Sequence, residues 1–97
     1  MSQCKSLADV RANIDRLDRQ IVPLLAERSG YVRQAASFKQ DKAAVVDIPR
    51  IEEIIAKVRH MAVEHGGDPD LIERIYRSMI DACIVFEAQE WAKLHQP

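Results

Sequence analysis

The sequence predicts an all-α fold of three helices, in the order long, short, long. Apolar residues recur at spacings of three and four along most of the chain, which is the helical period. Two helix starts are marked by an aspartate shortly before a proline, Asp47 before Pro49 and Asp68 before Pro69. The one strand-like segment, residues 43–48, has no second strand to pair with. A chain of 97 residues has the length of one domain, so residues 1–97 are predicted to form a single domain.

The first helix is predicted over about residues 6–40. Ser6 is a suitable N-cap, and Pro23 removes a backbone donor, so we expect a kink near residues 19–22. The helical period continues through Pro23 and Gly30, which favours one kinked helix over two. The apolar stripe consists of Leu7, Val10, Ile14, Leu17, Ile21, Leu24, Leu25, Val32 and Ala35.

The second helix is predicted over about residues 49–64, after a short connection at residues 43–48. Asp47 is the expected N-cap, and the pair Gly66-Gly67 is expected to end the helix. On the polar side, Glu53 and Lys57 have the spacing of an ion pair.

The third helix is predicted over about residues 69–94, with Asp68 as its N-cap and Pro69 in its first turn. Its apolar stripe continues to Trp91 but carries a carboxylate, Glu87, where the pattern calls for an apolar side chain. This exception makes Glu87 a candidate functional residue.

Composition excludes several classes of protein. Hydrophobic residues at 47% and charged residues at 30% indicate a globular chain and not a disordered one. The formal net charge of −1 gives no electrostatic reason to expect nucleic acid as a partner. No apolar run approaches the ~20 residues of a membrane span, and the first residues lack an apolar signal core, so we expect a cytoplasmic protein without a membrane partner.

The length of the first helix predicts a dimer. A helix of about 35 residues is ~50 Å long, whereas a compact domain of 100 residues has a radius of gyration of only ~13 Å. The other two helices cannot cover a stripe of that length. A second copy could do so, most simply as a two-fold antiparallel pair of first helices.

Cations interrupt the apolar stripe of the first helix and point to an anionic ligand. Arg28 and Lys39 are eleven residues apart, so on one helix they would face the same way at an axial separation of ~16 Å. Arg11 lies ~25 Å from Arg28 along the axis and would reach the same ligand only from the partner subunit. With Arg50 at the start of the second helix, these cations outnumber the facing carboxylates, of which Glu87 is the clearest. The excess suggests a small ligand with two carboxylates.

Structural interpretations remain open for each of these residues. Arg28 could form a salt bridge with Asp18, Glu27 or an acid on another helix. Lys39 could be the solvated end of its helix, and Glu87 could be the partner of a nearby cation.

Other candidate residues also have simple structural interpretations. Arg11 and Arg50, taken singly, suit surface ion pairs, and Cys83 and Trp91 suit the core. Cys4 and Cys83 are isolated in sequence, which favours thiols over a disulfide or a zinc site. Three histidines without mutual metal-ligand spacing predict no metal site: His60, His65 and His95.

The run VRANIDRLDRQIVPLLAERSGYVRQAASFK, residues 10–39, resembles the first helix of the all-helical chorismate mutases. It carries an arginine, then I-x-x-L-D-x-x-I, then L-L-x-x-R, then a lysine eleven residues later. The resemblance continues through DIPRI at residues 47–51 and the third helix. The chain is also similar to the related isochorismate–pyruvate lyase, especially in YVRQAASFK.

The resemblance implies an intertwined homodimer with two equivalent sites, each built from both chains and using no cofactor. Arg28 would hold a substrate carboxylate, and Arg11 from the other subunit would hold the enolpyruvyl carboxylate. Lys39 would bind a carboxylate and the ether oxygen whose bond to carbon breaks. Arg50 would support the carboxylate-binding cluster, and Asp47 would lie near the ring hydroxyl.

This sequence departs from the mutase pattern at three positions. Ile51 replaces a glutamate that binds the ring hydroxyl, and the lyase branch is also aliphatic there. Cys83 replaces a serine near the ring carboxylate. Glu87 replaces a glutamine that donates to the ether oxygen; because an ionised carboxylate cannot donate, activity is expected to rise toward acidic pH.

The sequence is compatible with three functions. The first is a chorismate mutase, which the intact cations and Asp47 favour. The second is an isochorismate–pyruvate lyase, which Ile51 favours, and the third is a non-catalytic helical module for dimerisation or regulation. The mutase reaction is a Claisen rearrangement, which requires neither a nucleophile nor an acid–base pair.

Overall fold

The computed structural model describes residues 3–96. Three α-helices are present: α1 over Leu7–Ala36, α2 over Ile48–Glu64 and α3 over Pro69–Leu94. A short 3-10 helix, η1, spans Lys42–Val45 between α1 and α2. No strand occurs within residues 3–96, so the all-α prediction and the order long, short, long are confirmed.

The start of α1 follows the predicted capping pattern. The Asp9 backbone N–H donates to the Ser6 hydroxyl at 3.1 Å, and the Asp9 carboxylate accepts from the Lys5 N–H at 3.1 Å. The helix is continuous through Pro23 and Gly30. The kink expected near residues 19–22 stays a prediction.

The end of α1 corrects the sequence prediction, because the helix stops at Ala36 and does not reach residue 40. The next three backbone N–H groups, of residues 37–39, donate to carbonyls three residues back instead of four. The Ser37 hydroxyl donates to the Gln34 carbonyl at 2.6 Å and so competes for a helical acceptor. The helical extrapolation that put Lys39 on the stripe of α1 is therefore wrong.

Side-chain caps start the next two elements. The Asp41 carboxylate accepts from the Ala44 N–H at 3.1 Å and begins η1, so residues 42–45 are helical and not an irregular connection. The Asp47 carboxylate accepts from the Arg50 N–H at 3.1 Å, which confirms it as the N-cap of α2. After Glu64 the chain turns at Gly66, whose φ of 72° suits a residue without a side chain.

The third helix has the predicted bounds. The Asp68 carboxylate accepts from the backbone N–H groups of Asp70 at 2.9 Å and Leu71 at 3.4 Å, which confirms the cap. Pro69 is the first residue of the helix.

The chain divides into two compact units between Tyr31 and Val32, inside α1. In the second unit α2 packs against α3, and η1 also contacts α3. Ion pairs join α2 to α3 at the surface: Arg59 to Glu73 at 2.9 Å and Arg77 to Glu52 at 3.2 Å. The buried apolar residues of this unit are Ala36, Val45, Ile55, Val58, Ala62 and Ile80.

Among residues 3–31 the first unit contains a single helical segment, and this described part has no second element to cover an apolar face. Its large apolar side chains are exposed in the single chain, among them Leu7 at 61%, Ile14 at 51% and Leu24 at 66%. The part of the predicted stripe from Leu7 to Leu25 is therefore an exposed surface.

Candidate active site

The second unit contains an ion pair between Lys39 and Glu87. The Lys39 Nζ lies 2.8 Å from Oε2 of Glu87. Glu87 is the one buried charged residue within residues 3–96, with 8% of its surface exposed. The carboxylate predicted to interrupt the α3 stripe is thus buried and paired with a cation.

The geometry of this pair leaves the lysine available to a ligand. A buried carboxylate is costly without a partner, and the ammonium of Lys39 meets that need for Glu87. An ammonium has three donors, of which this contact uses one. The Lys39 side chain is 26% exposed, so it is not closed off from solvent.

Lys39 is held in a short segment outside regular structure, between α1 and η1. Its backbone N–H donates to the Ala36 carbonyl at 3.3 Å. Its backbone carbonyl accepts from the indole Nε1 of Trp91 at 3.0 Å. The interpretation of Lys39 as the solvated end of a helix does not fit these contacts.

Sequence reasoning missed the hydrogen bond of Trp91, which it treated as a core residue. Two signals could have indicated this contact. Trp91 follows Glu87 by four residues, which puts both on one face of a helix. A half-buried indole N–H also usually has a hydrogen-bond partner.

The start of α2 carries three of the predicted site residues. Asp47 caps the helix through its carboxylate, as described above. The Arg50 guanidinium pairs with Glu53 at 2.6 Å, and both side chains are more than half exposed. Ile51 is half-buried in the first turn. The surface ion pair considered for Arg50 is the contact seen in the single chain, and its role toward a ligand stays a prediction.

The two cysteines do not form a disulfide. Cys83 is half-buried and lies one helical turn before Glu87 on α3, and Cys4 accepts a long hydrogen bond from the Asn13 amide at 3.6 Å. Within the described part of the chain, no three histidine, cysteine or acidic residues are grouped as a metal site would require.

The remaining predicted site residues, Arg11 and Arg28, belong to the first unit. Arg11 is exposed and Arg28 is half-buried. They are seventeen residues apart on α1, which corresponds to ~25 Å along a helix axis. One small ligand therefore cannot bridge the two within one chain.

Comparison with known proteins identifies the family. Residues 10–88 match the family described as chorismate mutase type II. The chain belongs to this family. The match begins next to Arg11 and ends one residue after Glu87, so it includes every predicted site residue. It confirms the resemblance inferred from the sequence.

Relatives of this chain carry more than one name. It is 33% identical over 88 residues to the isochorismate pyruvate lyase of Pseudomonas aeruginosa, which covers 91% of this chain and 87% of the relative. It is 28% identical over 78 residues to the chorismate mutase of Methanocaldococcus jannaschii, covering 79% of each. It is 33% identical over 78 residues to the T-protein of Haemophilus influenzae, covering 79% of this chain and 21% of that longer relative.

These similarities confirm that the chain belongs to a family of enzymes, as the sequence predicted. The names of these relatives include both a mutase and a lyase, so they leave the reaction to be inferred from the site. Among residues 3–96, no helix has the length and apolar character needed to cross a membrane.

Proposed function

We propose that this chain is a chorismate mutase that rearranges chorismate to prephenate. The observation that carries the proposal is the Lys39 ammonium, partly exposed and paired with buried Glu87, in a chain of the chorismate mutase type II family. A rearrangement within one molecule needs neither a nucleophile nor a cofactor. It needs a site that holds the substrate folded and stabilises the charge that develops on the ether oxygen.

In this mechanism Lys39 is the principal catalytic residue. As the carbon–oxygen bond breaks and the new carbon–carbon bond forms, negative charge grows on the ether oxygen. One N–H of the ammonium points to Glu87, and the other two can bind a substrate carboxylate and that oxygen. The carboxylate of Glu87 orients the ammonium, and once protonated it can itself donate to the ether oxygen.

The proposed site also requires a second chain. Its support is the apolar stripe of α1, which is exposed from Leu7 to Leu25 on a helix that is 30 residues and hence ~45 Å long. Two copies packed antiparallel along this stripe would form a homodimer and would cover the apolar surface that each leaves exposed. Arg28 would then bind a substrate carboxylate beside Lys39, and Arg11 would come from the partner subunit.

Light scattering on the purified chain tests the dimer. We expect twice the chain mass for the native protein and a lower mass for Leu17→Arg, which places a charge on the stripe. Ala12→Arg introduces the same side chain on the opposite face of α1 and should leave the dimer intact. A native protein of single-chain mass at micromolar concentration would contradict the dimer.

A specific observation favours isochorismate–pyruvate lyase as a second candidate. Ile51 cannot bind a ring hydroxyl as the mutase glutamate would, and the relative from Pseudomonas aeruginosa is named for this lyase activity. The lyase would bind isochorismate, which also has two carboxylates, and release salicylate and pyruvate by a related pericyclic route. The same cations would serve both substrates.

Product analysis separates the candidates. The purified chain is incubated with chorismate and, separately, with isochorismate, and both prephenate and salicylate are measured. We expect prephenate from chorismate as the faster reaction. Salicylate from isochorismate as the faster reaction would assign the lyase, and neither product would leave the non-catalytic helical module.

A further inference from the structure

Two side chains on one face of α3 bind Lys39, one at its ammonium and the other at its backbone carbonyl. Glu87 accepts from the side-chain ammonium at 2.8 Å, and Trp91 donates its indole N–H to the backbone carbonyl at 3.0 Å. We propose that Trp91 is a positioning residue that fixes the main chain of Lys39, so that the ammonium meets the substrate in a defined place. The catalytic consequence rests on the proposed function, whereas the anchoring itself does not.

The segment that carries Lys39 has little other support. Lys39 lies in residues 37–41, between the last residue of α1 and the first residue of η1. Its neighbours Phe38 and Gln40 are both exposed, and Phe38 is exposed to 84%. The main-chain bonds of residues 37–39 are local, to carbonyls three residues back. The bond from Trp91 is therefore the main-chain contact that ties Lys39 to α3.

The indole is itself held by the residue that follows α3. The His95 ring stacks on Trp91 with a centroid distance of 3.9 Å and an interplanar angle of 18°. The His95 Nδ1 lies 2.8 Å from the Trp91 carbonyl, so the imidazole is fixed at a second point. This support explains how a half-buried indole keeps its N–H directed at the Lys39 carbonyl.

The contacts of Trp91 and Glu87 complement each other. Glu87 restrains the flexible Lys39 side chain at its charged end, which limits the positions that the ammonium can take. Trp91 restrains the backbone from which that side chain extends. Because electrostatic stabilisation depends on the placement of the charge, loss of the Trp91 restraint lowers the rate even when the lysine is still present.

The experiment removes the indole N–H while keeping the ring. Trp91 is the single tryptophan of the chain, so replacing tryptophan throughout by benzothienylalanine, in which sulfur replaces the N–H, changes this site alone. Trp91→Phe is a second variant. The control is Tyr76→Phe, which removes the hydroxyl of an aromatic side chain elsewhere on α3. The readouts are kcat, KM, thermal unfolding and amide hydrogen exchange of the peptide covering residues 37–41.

We expect kcat to fall about three- to tenfold in both Trp91 variants, as loss of one hydrogen bond implies, with a smaller change in KM. Amide exchange should accelerate in residues 37–41, while the unfolding temperature of the sulfur analogue stays close to wild type. Tyr76→Phe should leave kcat and this local exchange unchanged.

Three results would overturn the inference. The first is wild-type kcat and wild-type exchange in the sulfur analogue, which would show that the bond positions nothing. The second is a loss of kcat without faster exchange in residues 37–41. The third is a loss of kcat that follows global unfolding and is shared by Tyr76→Phe. If the native chain converts neither chorismate nor isochorismate, the proposed function fails by itself, and the exchange measurement still decides whether Trp91 anchors Lys39.

Discussion

The Lys39 Nζ and the Glu87 Oε2 are 2.8 Å apart, although 48 positions separate the two residues in sequence. Lys39 lies in a segment without regular structure, and Glu87 lies on α3 with 8% of its surface exposed. Each residue depends on the other in a different way. Without Lys39 the buried carboxylate loses its cation, whereas without the charge of Glu87 the ammonium gains freedom to bind an anion.

Mixing two inactive variants tests whether the site is shared between chains. Arg11→Ala and Arg28→Ala should each lose most activity as pure proteins. In a statistical mixture, half of the dimers contain one chain of each kind, and one of their two sites has both arginines intact. We therefore expect about one quarter of the native activity after the chains exchange, as measured by initial rates before and after mixing. A mixture as inactive as its components would exclude a site built from Arg11 of one chain and Arg28 of the other.

The ratio of products tests the contribution of Ile51. This half-buried residue occupies the position at which the resemblance implies a glutamate that binds the ring hydroxyl. Ile51→Glu should raise the ratio of prephenate to salicylate by about tenfold or more. This is the fold-change that corresponds to the free energy of one hydrogen bond to a charged group. Ile51→Leu serves as the apolar control, with an unchanged ratio. An equal ratio in Ile51→Glu would mean that this side chain does not select the substrate.

Stability in acid tests the ion pairs between α2 and α3. The hydrogen bond from Arg77, with that from Arg59, lowers the pKa of Glu73 below its ordinary value of 4.5. A lowered pKa in the folded state means that the ionised carboxylate contributes stability above pH 4.5, and that this contribution is lost as the pH falls through the lowered value.

Urea unfolding of the native chain and Glu73→Gln at neutral pH and below pH 4 measures this effect. The native chain should lose more stability on acidification than Glu73→Gln does, because the variant has no carboxylate to protonate at this position. Asp81→Asn changes an exposed position on the same helix and should lose as much stability on acidification as the native chain. Identical losses in the native chain and Glu73→Gln would contradict the assignment.

The separation in sequence between interacting groups explains which elements the sequence could predict. The caps formed by Asp47 and Asp68 involve backbone groups two or three residues away, so residue type and position were sufficient. The end of α1 was predicted four residues too late because Lys39 falls on the line of the apolar stripe, while the Ser37 side chain competes locally with the helix.

In the site, too, the sequence predicted residue types but not contacts between residues that are far apart in the chain. Lys39 and Glu87 were each recognised as charges in apolar patterns, and the family match confirms the resemblance that named them. Their direct contact depends on how the segment after α1 packs on α3, which local patterns do not encode. The spacing of Trp91 and Glu87 places both on one face of α3, but the acceptor of the indole N–H is a backbone carbonyl, which the sequence does not identify.

The most direct test of the central claim is the activity of Lys39→Ala beside that of Lys42→Ala, which removes the same side chain three residues away in η1. Because Lys39→Ala alone leaves the Glu87 carboxylate without its cation, the double variant with Glu87→Gln is measured too, and thermal unfolding verifies that each variant folds. We expect kcat/KM to fall at least about 100-fold without Lys39, as for other groups that stabilise developing charge, and to stay near the native value in Lys42→Ala. Full turnover by folded Lys39→Ala would contradict the account.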